Sequence, residues 1–242
     1  MIYFVIPVYN EEMNIAELSK NLLETMPEDE KFYVFVDDGS KDRTVEMIRG
    51  SFPEDSVHII EKPENRGPGD SFNLGFDYLL ERDLLNSDLI VTIEADNTSD
   101  IRILERMILN ARAGYDLVLA SPYAQGGGFE DTTLLRKLLS FAANTVLRLF
   151  FDIKVLTLSS FYRVYKPELL RVIKAKYGTI IEEPGFICMV EILVKAIRSK
   201  AEIIEVPMVL YSEKRKGKSK MKIVKTGMSY LVFLFNRKNY VR

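Results

Sequence analysis

Asp88-Leu89-Ile90-Val91-Thr92-Ile93-Glu94-Ala95-Asp96 is an apolar, β-rich run that closes on two carboxylates one residue apart. Its length and branched side chains fit a strand covered on both faces, as in parallel sheets. Residues 31–36 have the same form and run straight into Asp37-Asp38-Gly39-Ser40. Two more such runs flank them, 1–8 ending at Tyr9-Asn10-Glu11 and 57–61; a fifth strand is expected at 116–120, before Ser121. Segments with helical spacing lie between them, at about 11–26, 43–49, 67–85 and 101–113. Strands alternating with helices predict an α/β fold with a doubly wound, mostly parallel sheet. Such sheets bind ligands at the carboxyl ends of their strands. Tyr9, Asn10, Glu11, Asp37, Asp38, Glu94, Asp96 and Ser121 are therefore expected along one polar, acidic edge.

The second half is less regular. A Gly-rich loop at 125–128 precedes an amphipathic helix over 133–150, and 159–165 reads as a strand. Pro184-Gly185 is a turn signal that opens a helix over 185–198, and 202–211 reads as a further strand. Residues 214–222 form a basic loop and 223–235 an apolar helix. The absence of repeats and flexible linkers predicts one domain over 1–242. Its halves would be a ligand-binding part at 1–121 and a C-terminal part at 122–242.

Composition narrows the chemistry. Of 242 residues 47% are hydrophobic and 28% charged, with a net charge of −2, which argues against a nucleic-acid binder. The last 42 residues hold ten Lys/Arg against three Asp/Glu, +7, while the first 200 carry −9. A basic tail on an acidic body suggests an anionic partner near the tail. Cys188 is the only cysteine and His58 the only histidine. Disulfide frameworks and cysteine or multi-histidine metal sites are thereby excluded, and a Ser-His-Asp triad, which would need His58, is not expected. His58 lies in the strand-like Val57-His58-Ile59-Ile60 and is expected to be a packed or edge side chain. No signal peptide is read, and no stretch nears the roughly 20 apolar residues of a membrane span. A cytoplasmic chain, at most peripheral to a membrane face, is expected.

Glu94 and Asp96 at a strand end suit Mg²⁺ or Mn²⁺, which bind few protein carboxylates and take other ligands from water and phosphate. A solvated acidic pair is the plainer alternative. Asp37 and Asp38 can accept hydrogen bonds from a base or ribose, or can shape a turn and helix cap. Asn65-Arg66-Gly67-Pro68-Gly69-Asp70 is either a helix start or a close approach of backbone to a ligand.

Taken in order, Pro7-Val8-Tyr9-Asn10-Glu11-Glu12, Val36-Asp37-Asp38-Gly39-Ser40, Asn65-Arg66-Gly67-Pro68-Gly69 and Glu94-Ala95-Asp96 resemble the motifs of family 2 glycosyltransferases with the GT-A fold. The helix at 185–196 and the segment 214–221, with Gly217-Lys218-Ser219-Lys220-Met221, resemble the polyprenyl (dolichol) phosphate mannose synthase branch. That resemblance implies that Pro7, Tyr9, Asn10, Glu11, Asp37, Asp38, Gly67, Ala95 and Lys220 bind a nucleotide-sugar donor, GDP-mannose or UDP-glucose. It implies that Glu94 and Asp96 hold the metal and diphosphate. Glu94 stands where Asp is usual, Thr98 where Gln is common, Pro122 where an Arg is found, and Lys214 where the branch has Arg.

The implied acceptor is a polyprenyl or dolichol phosphate, with inversion at the anomeric carbon. Such an acceptor is already an oxyanion and needs cations to hold it in line, where a hydroxyl acceptor needs a general base. Lys214, Arg215, Lys216, Lys218, Lys220 and Lys222 are candidate cations, as are Arg163 and Arg136, and Ser159 matches a serine near the acceptor in the branch. The basic loop and the helices 134–151 and 223–235 equally suit an anionic membrane surface. Two other readings stay open: transfer to a sugar hydroxyl with Glu182 or Glu183 as base, and a non-catalytic nucleotide binder.

Overall fold

The computed structural model describes residues 1–130, 145, 147–149, 151, 153–217, 220, 229, 230 and 233. The expected helices over 133–150 and 223–235 therefore lie largely outside the described residues, as do Arg136, Lys218, Ser219, Met221 and Lys222. The chain forms an α/β fold around a seven-stranded mixed sheet. Its strands are β1 (Ile2–Val8), β2 (Lys31–Asp37), β3 (Val57–Glu61), β4 (Leu89–Thr92), β5 (Leu117–Ser121), β7 (Arg163–Tyr165) and β8 (Ile203–Pro207). Across the sheet they run β3-β2-β1-β4-β7-β5-β8. Only β7 is antiparallel to its neighbours.

Alternation along each strand divides the core into two layers. Phe4, Ile6, Tyr33 and Phe35 point to one face and pack with α1 (Glu12–Glu24), α2 (Thr44–Ser51) and α4 (Leu104–Arg112). Val5, Val34 and Val36 point to the other, under α3 (Pro68–Leu80), α5 (Pro167–Tyr177) and α6 (Cys188–Arg198). With both faces covered the strands can be apolar throughout, which is why the sequence shows runs rather than alternation.

Three elements depart from the sequence reading. The unbroken alternation of five strands is interrupted by β7, which separates β4 from β5 and pairs Val164 with both Val91 and Val118. Arg163, Val164 and Tyr165 are all fully buried, so this short strand is stable only in a central slot. The single strand expected over 202–211 is two. Pro207, which has no N–H to donate to a ladder, ends β8. β9 (Val209–Tyr211) then leaves the main sheet to pair with β6 (Gly128–Glu130), the end of the expected Gly-rich loop. Helix α5 was not expected, although Pro167 at its start and Gly178 just past its end are the usual boundary residues. His58 lies on edge strand β3, its ring stacked on Tyr78 at 4.2 Å.

Tight packing of α3 on the sheet turns on Gly75. A Cβ there would fall 2.4 Å from Val5 Cγ1 and 3.3 Å from Val36 Cγ2. Gly50, on the exposed side of α2, has nothing within 4 Å of the same position. Urea unfolding should show Gly75→Ala less stable by about 1–3 kcal/mol, the cost of overpacking. Gly50→Ala should be more stable by about 0.5 kcal/mol, from reduced unfolded-state freedom.

Candidate active site

The carboxyl ends of β1, β2 and β4 lie side by side because these strands are parallel neighbours. Past β1, Asn10 adopts φ 52°, a left-handed geometry that Asn tolerates. Its N–H donates to Ser40 Oγ at 2.9 Å and its Oδ1 accepts from the Lys41 N–H at 2.7 Å. The Glu11 N–H donates to Thr44 Oγ1 at 2.7 Å. The tip of β1 is thus stitched to the turn after β2. The buried Glu11 carboxylate accepts from Asn14 Nδ2 and from Lys220 Nζ, the latter at 2.7 Å. Burial raises its pKa, Lys220 and Asn14 oppose that rise, and the Asp96 charge adds to it. Glu11 and Asp96 therefore sense one another across the edge. A cavity of about 280 Å³ opens beside Lys220, lined by Tyr9, Asn10, Glu12, Asp42, Lys216 and Lys220 among others. Pro7 sits lower, within β1, opposite Val36 of β2.

The two aspartates after β2 have inward tasks. Asp37 caps its own turn, accepting from the Ser40 N–H at 3.1 Å. Asp38 accepts from Lys62 Nζ at 2.6 Å and from the Arg66 and Gly67 N–H groups at 2.8 Å each. Lys62, itself buried, reaches Asp70 at 2.6 Å as well. Asp38 was expected to face the donor; its carboxylate is instead turned to Lys62 and the 66–67 amides, where it fixes the start of α3. The space a Cβ would need at Gly67 is filled by the Pro184 carbonyl oxygen at 2.4 Å, so the chain's own backbone already requires a glycine there.

At the tip of β4 the chain turns sharply, with Asn97 at φ 60° and its side chain donating to the Asn14 carbonyl at 3.0 Å. Ala95 is buried in the core between Glu94 and Asp96. Asp96 accepts from the Thr98 N–H and hydroxyl through Oδ1, and from Arg215 through Oδ2, at 2.6 Å from Nε. The second Arg215 nitrogen, Nη2, completes a fork on the same oxygen. Glu94 accepts from Ser99 Oγ at 2.8 Å and the Phe161 N–H at 3.2 Å. Desolvation, then the Asp96 charge, raises its pKa. No group of three or more His, Cys, Asp or Glu able to hold a metal occurs among the described residues. Two adjacent carboxylates, one matched by a single guanidinium, nevertheless fit a hard divalent cation whose remaining ligands come from a bound phosphate or water.

The acceptor-side residues expected from the sequence separate into two groups. Arg215, Lys216 and Lys220 meet the acidic edge: Lys216 exchanges backbone hydrogen bonds with the Asn14 amide, and Lys220 bonds Glu11 and the Asn10 carbonyl. Lys214 is exposed, its ammonium 4.5 Å from the Tyr211 ring centre. Arg163, expected to face an acceptor, is fully buried and donates to the Ser160 and Leu158 carbonyls at 2.8 and 2.7 Å. It shapes the approach to β7 and does not reach the surface. Ser159 is half-buried and bonds the Tyr230 phenol.

Sequence reasoning missed Lys62, which reads as an ordinary charge at the end of an edge strand. It also missed Glu205, which accepts from the Leu156 and Thr157 N–H groups at 2.8 Å each, while Thr157 meets the Ser121 hydroxyl. Because Lys62 and Asp38 are both buried, removing the ammonium takes the countercharge from Asp38, which keeps only its two amides, and breaks the ion pair with Asp70. Lys62→Met should cost roughly 3–5 kcal/mol in urea unfolding. Arg49→Ala, which breaks the exposed pair with Glu61, should cost less than about 1 kcal/mol.

The chain is similar to known proteins over most of its length. The Glycosyl transferase family 2 model matches residues 3–173. The polyprenol monophosphomannose synthase of Mycolicibacterium smegmatis is 28% identical over 220 residues, 90% of this chain and 79% of that protein. The undecaprenyl-phosphate mannosyltransferase of Micrococcus luteus is 29% identical over 218 residues, 90% of this chain and 86% of that one. The dolichol-phosphate mannosyltransferase of Pyrococcus furiosus is 29% identical over 96% of this chain, which spans 62% of its length. In fold, the chain is similar to glucosyl-3-phosphoglycerate synthase from Mycobacterium tuberculosis, crystallised with Mn²⁺ and UDP-glucose. The TM-score is 0.68 at 16% identity, over 99% of this chain and 78% of that one. The chain belongs to glycosyl transferase family 2 and has the GT-A fold.

Proposed function

We propose that this enzyme moves a hexose, mannose from GDP-mannose in the first instance, onto a polyprenyl phosphate with inversion at the anomeric carbon. One observation carries the reading. Arg215, in the basic segment after β9, lies on Asp96 at the tip of β4, so cations suited to an anionic acceptor stand at the carboxylates suited to a donor. The names of the relatives from Mycolicibacterium smegmatis and Micrococcus luteus support the same acceptor class and sugar.

In this reading the nucleoside occupies the cavity beside Tyr9 and Asn10, with Lys220 in its wall and Glu11 held by Lys220. Glu94 and Asp96 would hold Mg²⁺ or Mn²⁺, which offsets the diphosphate charge as the bond to the sugar breaks. Arg215, released from Asp96, joins Lys214 in holding the acceptor phosphate near Ser159. The acceptor oxygen is already anionic, so no side chain has to remove a proton. No helix among the described residues is long and apolar enough to cross a membrane. In this reading the lipid is met at a membrane surface, through the basic segment.

Transfer assays that cross GDP-mannose, UDP-glucose and UDP-N-acetylglucosamine with a polyprenyl phosphate and an oligosaccharide, with and without Mn²⁺, test this directly. Metal-dependent mannosylation of the lipid phosphate is expected. Transfer to the oligosaccharide alone, lost on replacing Glu182 or Glu183, would establish the hydroxyl-acceptor reading instead. Asp96→Ala should lower turnover at least about 100-fold, the scale for losing charge stabilisation of a leaving group. Lys214→Gln with Arg215→Gln should raise the acceptor KM about tenfold and leave nucleotide affinity within about threefold, as one lost charge-assisted contact each implies. An equal loss of both would remove these residues from the acceptor site.

A further inference from the structure

Helix α6 is buried all round, yet carries Glu191 and Lys195 at i and i+4 with side chains 0% and 1% exposed. Their charges meet at 2.7 Å. A buried ion pair is weak evidence for stability, since desolvation offsets much of its attraction. What distinguishes this one is where its remaining hydrogen bonds go. Glu191 accepts from the Glu182 N–H at 2.9 Å and the Glu183 N–H at 2.8 Å. Lys195 Nζ donates to the Thr179 and Ile180 carbonyls, both at 3.2 Å. The carboxylate takes two amides and the ammonium two carbonyls, besides the Glu182 carboxylate at 3.4 Å, so the pair grips one stretch of backbone in a single polarity. Asn73 of α3 adds a third hold, accepting from the Ile181 N–H at 3.0 Å.

The gripped stretch continues into contact with both halves of the acidic edge. The Pro184 carbonyl accepts from the Gly69 N–H at 2.8 Å, and a Cβ on Gly69 would lie 2.0 Å from the Glu183 carbonyl oxygen. That backbone therefore bears on the Gly67-Pro68-Gly69 turn, whose Gly67 N–H holds Asp38. On the other side Phe186 stacks on Phe161 with ring centres 5.7 Å apart, and the Phe161 N–H is the one that holds Glu94.

We infer that Glu191 and Lys195 are positioning residues, which fix the 179–186 backbone and through it the Asp38 turn and the orientation of Glu94. Neither touches substrate. Their effect on the reaction rests on the transferase reading above; their effect on the backbone does not. A displacement of the metal-binding carboxylate lowers turnover more than binding, because transition-state stabilisation depends most steeply on geometry.

The test is the double variant Glu191→Met with Lys195→Met, which replaces the pair by apolar side chains of similar length and can leave stability near that of the parent. Its thermal melt is expected close to the parent's. Hydrogen exchange should quicken at the amides of Glu182, Glu183, Gly67, Gly69 and Phe161, and stay unchanged in β1 and β2. With polyprenyl phosphate as acceptor, kcat should fall about tenfold or more and both KM values stay within about threefold, the pattern of lost positioning. Glu191→Gln with Lys195→Met, which keeps an acceptor for the amides without a lone buried charge, should recover most of kcat. Glu191→Asp, one methylene too short to hold the amides, should quicken exchange at the same positions and carries the test by exchange and kinetics if the double Met variant does not fold. Unchanged exchange at those amides, or a kcat that falls only with the folded fraction, would overturn the inference. A parent enzyme inactive on every donor would sink the transferase reading, while the exchange result still decides the role of the pair.

Discussion

Carboxylates drawn together at one edge of an apolar sheet must each be matched by a positive charge or a hydrogen-bond donor, and this constraint organises the rest of the molecule. Asp38 has Lys62, Glu11 has Lys220 and Asp96 has Arg215. Two of those three cations come from the basic segment after β9, more than a hundred residues from their partners. Glu94 is met only by neutral donors among its hydrogen bonds, the Ser99 hydroxyl and the Phe161 amide. Among the described residues Glu94 has no cation of its own, and the Asp96 partner is a half-buried side chain.

The second half of the chain serves the first by reaching into it. β7 enters the centre of the sheet and places the Phe161 amide beside Glu94. β9 donates from the Tyr211 N–H to the Thr98 carbonyl at 2.9 Å and so backs the turn that carries Asp96. The 179–186 stretch braces the turn below Asp38. A site whose acids stand on rigid strand ends thus gains its final geometry from segments that a purely sequential reading would set apart.

Strand tips were legible because a run buried on both faces is apolar throughout and its polar end stands out. Glu94, Asp96 and Glu11 are where that reasoning put them. The direction of Asp38 was not legible, because a carboxylate at a strand end can serve a ligand or a turn and only the position of Lys62 decides. Arg163 looked available because a three-residue central strand leaves no period in the sequence, so its burial was hidden. The Glu191–Lys195 pair had a signal that went unread: two opposite charges one helical turn apart in an otherwise apolar helix need each other or a polar partner. Helix α5 was legible at its ends, in Pro167 and Gly178.

In the proposed reaction Glu94 and Asp96 accept a divalent cation together with a nucleotide diphosphate. Electron paramagnetic resonance of free Mn²⁺ during titration measures this without any turnover. One Mn²⁺ per chain, bound more tightly when GDP is present and lost in Asp96→Asn, is the predicted result. Nucleotide binding that is indifferent to Mn²⁺, or Mn²⁺ binding that survives Asp96→Asn unchanged, would contradict it.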